Sequence, residues 1–208
     1  MAYNVLVVDD QTMPRQLFEN IINNSARYEL AASVDSASVA DVYCAGMRID
    51  MILMDVVMSG GINGIEAAAR IKASYPDIRI LVVTSMPDGT FLDKARAAGV
   101  DSFWYKEVQD APLLEIMDRT MAGEQVYPDH APIAAVGLAK STDFTGRELE
   151  VLRYVAAGYS DKEIAQLLVI GYGTVRVHLN NLLQKTGCNN RTELAILAAK
   201  TGIVVPEI

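Results

Sequence analysis

The 208 residues predict an α/β doubly wound parallel sheet of five strands followed by a small all-α domain of four helices. Three observations carry that expectation. Over residues 1–121, five short β-branched or aromatic runs alternate with amphipathic stretches, the pattern of strand–helix units that builds a parallel sheet. Three of those runs, Tyr3–Val8, Asp50–Met54 and Ile78–Val83, are continuously apolar, which marks strands covered on both faces. From Thr145 onward the periodicity is helical throughout.

Taken in order, strands are expected at Tyr3–Val8, Glu29–Val34, Asp50–Met54, Ile78–Val83 and Asp101–Tyr105. Helices are expected near 12–24, 36–46, 64–74, 87–98 and 109–121. Residues 122–143 contain two prolines and two glycines without sustained periodicity, so they read as a linker with a short helix near Ile133–Ala139. Four helical segments follow near 145–157, 161–168, 172–186 and 191–200, separated by Gly158, Gly171 and Gly187. Thr145 with Glu148, and Ser160 with Glu163, have the spacing of capping boxes at helix starts. The domains are therefore placed at 1–121, 122–143 (linker) and 144–208.

Half the residues are apolar and 21% are charged, an ordinary composition for a water-soluble protein. No apolar run reaches the ~18 residues needed to span a bilayer. The opening Met-Ala-Tyr-Asn has no basic n-region, so neither secretion nor a membrane role is expected and a cytoplasmic location follows. Cys44 and Cys188 belong to no Cys-x-x-Cys or Cys/His cluster and read as two reduced thiols. The net charge of −8 is unevenly spread. Residues 1–121 carry 10 basic and 17 acidic side chains, whereas residues 144–208 carry 7 and 6. Between Glu163 and Glu193 there is no acid at all, yet Arg176, His178, Lys185 and Arg191 lie there. A polyanion requires such an acid-free surface, because counterion release from phosphates drives most of the affinity.

Ligands of open α/β sheets bind beyond the carboxyl ends of the strands. At those ends stand Asp9 and Asp10, Asp55, Thr84 and Lys106. An Asp after a strand is commonly a helix cap and a Lys there a solvated charge, but four successive strand ends bearing this set point to one site. Clustered carboxylates call for a hard, oxygen-seeking cation, and Mg²⁺ fits. Such an ion can neutralise charge on a phosphoryl donor while one carboxylate attacks phosphorus to form an acyl phosphate. Thr84 and Lys106 would complete the oxygen coordination.

The runs VLVVDDQ, DMILMDVVM, ILVVTS and FWYKE are similar, in order, to the four motifs of two-component response regulator receivers. The resemblance implies a flavodoxin-like receiver in which Asp55 is the phosphoacceptor, with Thr84 and Lys106 serving the same chemistry. It further implies that Asp9, Asp10, Asp55 and the Val57 carbonyl hold Mg²⁺, and that Thr84 and Phe103 form the switch pair. Phe103 stands where Tyr is commoner, and the loop Met58–Gly64 lacks the usual proline and is one residue longer.

Within 172–186, Val175, Leu179, Leu182, Leu183 and Thr186 make one helical face. The opposite stripe presents Arg176, Val177, Asn180, Asn181 and Gln184. Those groups suit a major groove: Arg favours guanine, Asn and Gln favour adenine, and Val meets a thymine methyl. A solvated helix face is the plainer reading, but it would not leave Val177 exposed on a face without acids. Residues 144–194 resemble a LuxR-type helix-turn-helix through Glu148, Val151, Leu152, Gly158, Ser160, Lys162, Glu163, Ile164, Ala165, Gly173-Thr174-Val175, His178, Lys185 and Arg191-Thr192. That resemblance implies base contacts from Arg176, Val177 and Asn180, and phosphate contacts from Lys162, Lys185 and Arg191. Asp161 replaces a usual Asn and Gly171 a usual Ser, both of which weaken DNA binding.

Receiver plus this module is the NarL-like arrangement. It implies a transcription regulator phosphorylated by a sensor histidine kinase, dimerising on a two-fold double-stranded DNA operator, and catalysing only its own phosphorylation and dephosphorylation. Two other readings stand beside it. A Mg²⁺-dependent phosphatase would want Asp-x-Asp on the first strand, where the acids here are adjacent. A phosphorylation-independent regulator would follow if the altered 58–64 loop uncoupled Asp55 from output.

Overall fold

The computed structural model describes residues 2–58, 63–106 and 112–204. The chain folds as two compact units, one of residues up to Ser85 with Phe91–His130, the other of Met86–Thr90 with residues from Ala131.

Five strands form the sheet of the first unit: β1 (Tyr3–Val8), β2 (Tyr28–Val34), β3 (Met51–Asp55), β4 (Arg79–Thr84) and β5 (Ser102–Tyr105). All neighbours are parallel, in the order β2-β1-β3-β4-β5. The three expected continuous runs are the three inner strands, and Val5–Val8, Met51–Met54 and Ile80–Val83 are all fully buried. Helices α1 (Thr12–Asn23), α2 (Ala40–Gly46), α3 (Gly64–Ser74) and α4 (Thr90–Ala97) belong to the crossovers, and α5 (Leu113–Met121) follows the last strand. The expected start of the last of these, at 109–111, lies outside the described residues. Phe18 and Ile22 of α1, and Leu113, Ile116 and Met117 of α5, pack with Val5, Val7, Leu53, Leu81 and Val83 in one core. The order 2-1-3-4-5 reverses direction between β1 and β3, and a ligand site belongs at the carboxyl end of such a reversal.

The second unit holds α6 (Gly146–Ala156), α7 (Asp161–Leu167), α8 (Tyr172–Thr186) and α9 (Arg191–Thr201). Both expected capping boxes form: Thr145 and Ser160 accept from the backbone N–H of Glu148 and Glu163, and each glutamate accepts from the cap's own N–H. Buried Val151, Leu152, Val155, Ile164, Val175, Leu179, Leu182, Leu194 and Ala198 make the core. Val169, in the turn between α7 and α8, holds a φ of 52°. That conformation is strained for a β-branched residue, so the turn geometry is imposed by the packing of the helices on either side.

The short helix expected near 133–139 is not there. Instead Ala135–Val136 and Ala139–Lys140 pair as an antiparallel ribbon, β6 and β7, followed by a 3₁₀ turn at Ser141–Asp143. Gly137 turns the ribbon at φ 63°, and its missing Cβ lets the backbone pass the Thr186 carbonyl, which accepts from Leu138 N at 3.0 Å. Long-range packing at one glycine thus overrides a weak local helical preference. Among the described residues no helix is long and apolar enough to cross a membrane, and Cys44 and Cys188 are free.

Candidate metal centre and nucleic-acid interface

Strand register assembles the acidic site. Val8 pairs with Met54, Asp55 with Val83 and Thr84 with Tyr105, so the residues at and just past these strand ends share one edge of the sheet. Asp9, Asp10 and Asp55 each offer a carboxylate oxygen within 4.8 Å of the others. Asp9 and Asp55 are buried, as is Thr84 at the end of β4. Lys106 bridges the acids: its Nζ donates to Asp9 Oδ2 at 2.7 Å and to Asp55 Oδ1 at 3.3 Å. Asp9 Oδ1 accepts from Gln11 N at 2.9 Å, which fixes the carboxylate's direction.

Burial pushes the Asp55 carboxyl up to about 7, helped by the charge of Asp9 and opposed by the Lys106 ammonium. A carboxylate so poorly solvated is a better nucleophile once ionised, and a cation in the cluster would favour ionisation. Three hard oxygen donors at this spacing fit a divalent ion of the Mg²⁺ kind. Val57 is half-buried, two residues beyond the end of β3 at Asp55. Phe103 is fully buried, its ring 5.0 Å from that of Tyr105. Of the loop Met58–Gly64, residues 59–62 lie outside the described residues.

Two contributors escaped the sequence. Arg15 of α1 donates from Nη1 to the Asp9 carbonyl at 2.7 Å, holding the turn that carries both acids. Gly64 opens α3 so close to β3 that a Cβ would lie 1.8 Å from the Asp55 carbonyl oxygen. The Asn-Gly pair at 63–64 signals a turn but not this contact.

In the helical unit, Val175, Leu179, Leu182 and Thr186 of α8 are buried, Leu183 is half-buried, and Arg176, Val177, Asn180, Asn181 and Gln184 are turned to the other side, away from that core. Lys162, at the start of α7, is exposed. Among the described residues neither Lys162 nor Arg176 has an ion pair. The other two cations singled out are engaged. Lys185 Nζ lies 2.7 and 2.9 Å from the carboxylate oxygens of buried Glu148 and donates to the Asp143 carbonyl at 2.8 Å. Burial alone would raise the Glu148 carboxyl, but hydrogen bonds from Lys185 and Thr145 outweigh it and hold it low. Arg191 donates to the Tyr159 carbonyl, and its Nε lies 3.6 Å from Asp161 Oδ1.

A 2-1-3-4-5 parallel sheet with a carboxylate cluster and a lysine at its reversal, carried in one chain with a four-helix module, defines a class of two-module regulatory proteins. Residues 5–118 match the response regulator receiver domain, and residues 142–198 match the bacterial regulatory proteins of the luxR family. The chain belongs to the response regulators, with a receiver domain and a LuxR-type DNA-binding domain. It is 30% identical to the response regulator protein VraR of Staphylococcus aureus, over 98% of this chain and all of that relative. Among solved structures, RcsB of Salmonella enterica serovar Typhimurium, bound to promoter rprA in the presence of phosphomimetic BeF₃⁻, has a TM-score of 0.59 at 18% identity, covering 94% of this chain and 97% of the other. The response regulator ChrA of a heme-sensing two-component system has a TM-score of 0.51 at 21% identity, covering 98% and 99%. These two likenesses concern the fold.

Proposed function

We propose that Asp55 accepts a phosphoryl group from a histidine kinase, and that the phosphorylated chain binds a two-fold DNA operator as a homodimer in the cytoplasm. The observation that carries this reading is the Lys106 bridge between Asp9 and Asp55 within a three-carboxylate cluster. Asp9, Asp10, Asp55 and the Val57 carbonyl would hold Mg²⁺, which when bound neutralises charge on the phosphoryl oxygens. An ionised Asp55 oxygen attacks phosphorus, the donor's bond to phosphorus breaks, and the electron pair leaves with the donor. Lys106, released from one carboxylate, pairs with the new phosphoryl group, and Thr84 offers its hydroxyl from the adjacent strand end. Phe103 completes the switch. The chain then catalyses only its own phosphorylation and dephosphorylation. Working boundaries of 1–121 for the receiver, 122–143 for the linker and 144–208 for the output domain go with this reading.

The test is exposure of the full chain to labelled acetyl phosphate with and without Mg²⁺, followed by operator footprinting. The expected result is Mg²⁺-dependent label and a protected region spanning two half-sites about one helical turn (~10 bp) apart. DNA binding without any label would favour a regulator independent of phosphorylation. Turnover of free phosphomonoesters would favour a phosphatase.

For the DNA contacts we propose base readout by Arg176, Val177 and Asn180 and phosphate contacts by Lys162, Lys185 and Arg191. Arg176→Ala is expected to cost ~1–3 kcal/mol of discrimination at one base pair while leaving a scrambled site nearly unchanged. Lys162→Ala is expected to weaken both sites alike and to lower the log–log salt slope by about one. Titrations of both sites across a salt series check this. Equal loss at both sites for Arg176→Ala would remove it from the groove.

A further inference from the structure

Beyond α5 the chain does not leave the sheet at once. It turns at Gly123, φ 92°, and runs back along β5. β5 is an edge strand, so its outward backbone groups have no sheet neighbour. One of those groups is paired by this returning segment, which also bonds to a side chain of the strand. Phe103 N donates to the Val126 carbonyl at 2.8 Å, and Val126 N donates to Ser102 Oγ at 3.1 Å. Ser102 Oγ is buried and also accepts from Thr120 Oγ1 at 2.7 Å, which ties the same spot to α5.

The side chains continue the attachment. The Tyr127 ring centroid lies 6.2 Å from that of Phe103, and the Tyr127 hydroxyl donates to the Val100 carbonyl at 2.8 Å. The guanidinium of Arg96, from α4, covers the Tyr127 ring at 4.0 Å. Phe103 is left with no solvent exposure. A ring enclosed in this way, at protein packing density, cannot change rotamer unless a neighbour moves. Tyr127 is the neighbour that belongs to no helix or strand, and four residues later the chain enters the helical unit.

We propose that residues 124–128 form a strap that reads the position of Phe103, so that a change of rotamer at Phe103 releases the first residues of the linker from β5. The proposal rests on the reading of Phe103 as the switch ring of a phosphorylated receiver. It adds a device that reading lacks: a backbone hydrogen bond and a tilted ring contact connecting the switch to the segment leading to the output domain. Arg96 sets the strength of the latch, since a cation over an aromatic face resists removal of the ring.

The experiment is amide hydrogen exchange on the full chain, followed over residues 100–105 and 122–130. It is run on the wild type with and without acetyl phosphate and Mg²⁺, and on Tyr127→Ala, Tyr127→Phe and Phe103→Leu without phosphodonor. Exchange in 122–130 should accelerate at least tenfold in the phosphorylated wild type. Tyr127→Ala should show a comparable acceleration unphosphorylated, and Tyr127→Phe, which keeps the ring, a smaller one. Phe103→Leu should also accelerate 122–130, with circular dichroism verifying that the sheet is retained. Label on Asp55 with unchanged exchange in 122–130 would overturn the strap and leave the phosphorylation reading standing. Absence of label would overturn the phosphorylation reading instead. The Phe103→Leu arm then decides the strap by itself: unchanged exchange in 122–130 would show that the segment does not sense the ring. If Phe103→Leu fails to fold, Tyr127→Ala decides: unchanged exchange there means the ring is not the latch.

Discussion

Asp55→Asn is expected to lose all acid-labile label from acetyl phosphate and, in chelator, to be more stable than the wild type at pH 8. The loss follows from removing the attacking oxygen. The gain in stability follows from the environment of Asp55, whose folded-state value is raised from 3.8 to about 7. An acid raised in this way binds its proton more tightly in the folded chain than in the unfolded one. Its contribution to stability is therefore greatest below about pH 4, falls as pH rises toward 7, and is level above that. At about 1.4 kcal/mol per pH unit, the ceiling of the penalty is roughly 4 kcal/mol. Asn carries no charge and escapes it, at the loss of the weaker arm of the Lys106 bridge. Urea unfolding in EDTA at pH 4, 6 and 8 measures the difference, with Trp104, the single tryptophan and a residue of β5, as the reporter for the receiver. The variant's advantage should grow with pH up to about 7. Mg²⁺ should stabilise the wild type strongly and the variant little. An advantage independent of pH would show that Asp55 is not the carboxylate raised by burial, and label retained in the variant would show that it is not the acceptor.

Gly64→Ala is expected to damage the same site from the opposite side. Its Cβ would overlap the Asp55 carbonyl at 1.8 Å and meet Met54 Cγ at 2.9 Å. The obstacle is backbone of an inner strand, so the collision cannot be relieved by turning a side chain. Gly64 N also donates to the Val56 carbonyl at 3.0 Å, and separating α3 from β3 would break that bond. Overpacking of this kind costs about 3 kcal/mol or more, enough to lower the melting temperature of a unit this size by roughly 10 °C. Since α3 and Asp55 must move apart, Mg²⁺-dependent labelling should fall with stability. Thermal unfolding and labelling on the same preparation check both. Unchanged melting would mean that α3 starts further from the strand.

The fold was legible where burial dictates residue type. The inner strands read as unbroken apolar runs because both faces are covered, and α8 divides Val175, Leu179 and Leu182 from Arg176, Val177 and Asn180 because one face is covered. The acidic cluster was legible because parallel strands must bring their carboxyl ends to one edge. Three things were not legible, for different reasons. The ribbon at 135–140 depends on the approach of Gly137 to Thr186, a contact across 49 positions with no local signal. Arg15 acts on a backbone carbonyl, and no residue type marks such an acceptor. Lys185 and Arg191 read as free cations from their place in the chain, but long side chains choose partners at their tips, and periodicity describes only where the chain points them.

The pairing of Lys185 with Glu148 and of Arg191 with Asp161 bears on how this protein finds a target among a genome's competitors. A regulator with every cation loose is held by any stretch of duplex, and ~10⁶–10⁹ wrong sites can soak up all its copies. Here two of the four candidate phosphate-facing and groove-facing lysine and arginine cations that could grip at random are occupied by the protein's own acids. Each pair must open before its cation can grip a phosphate, so residence on unrelated sequence is expected to be short. A search by many brief three-dimensional encounters, in place of long one-dimensional slides, is the expected consequence. Occupancy of an operator would then depend on how many active copies exist, and less on how much other DNA surrounds it.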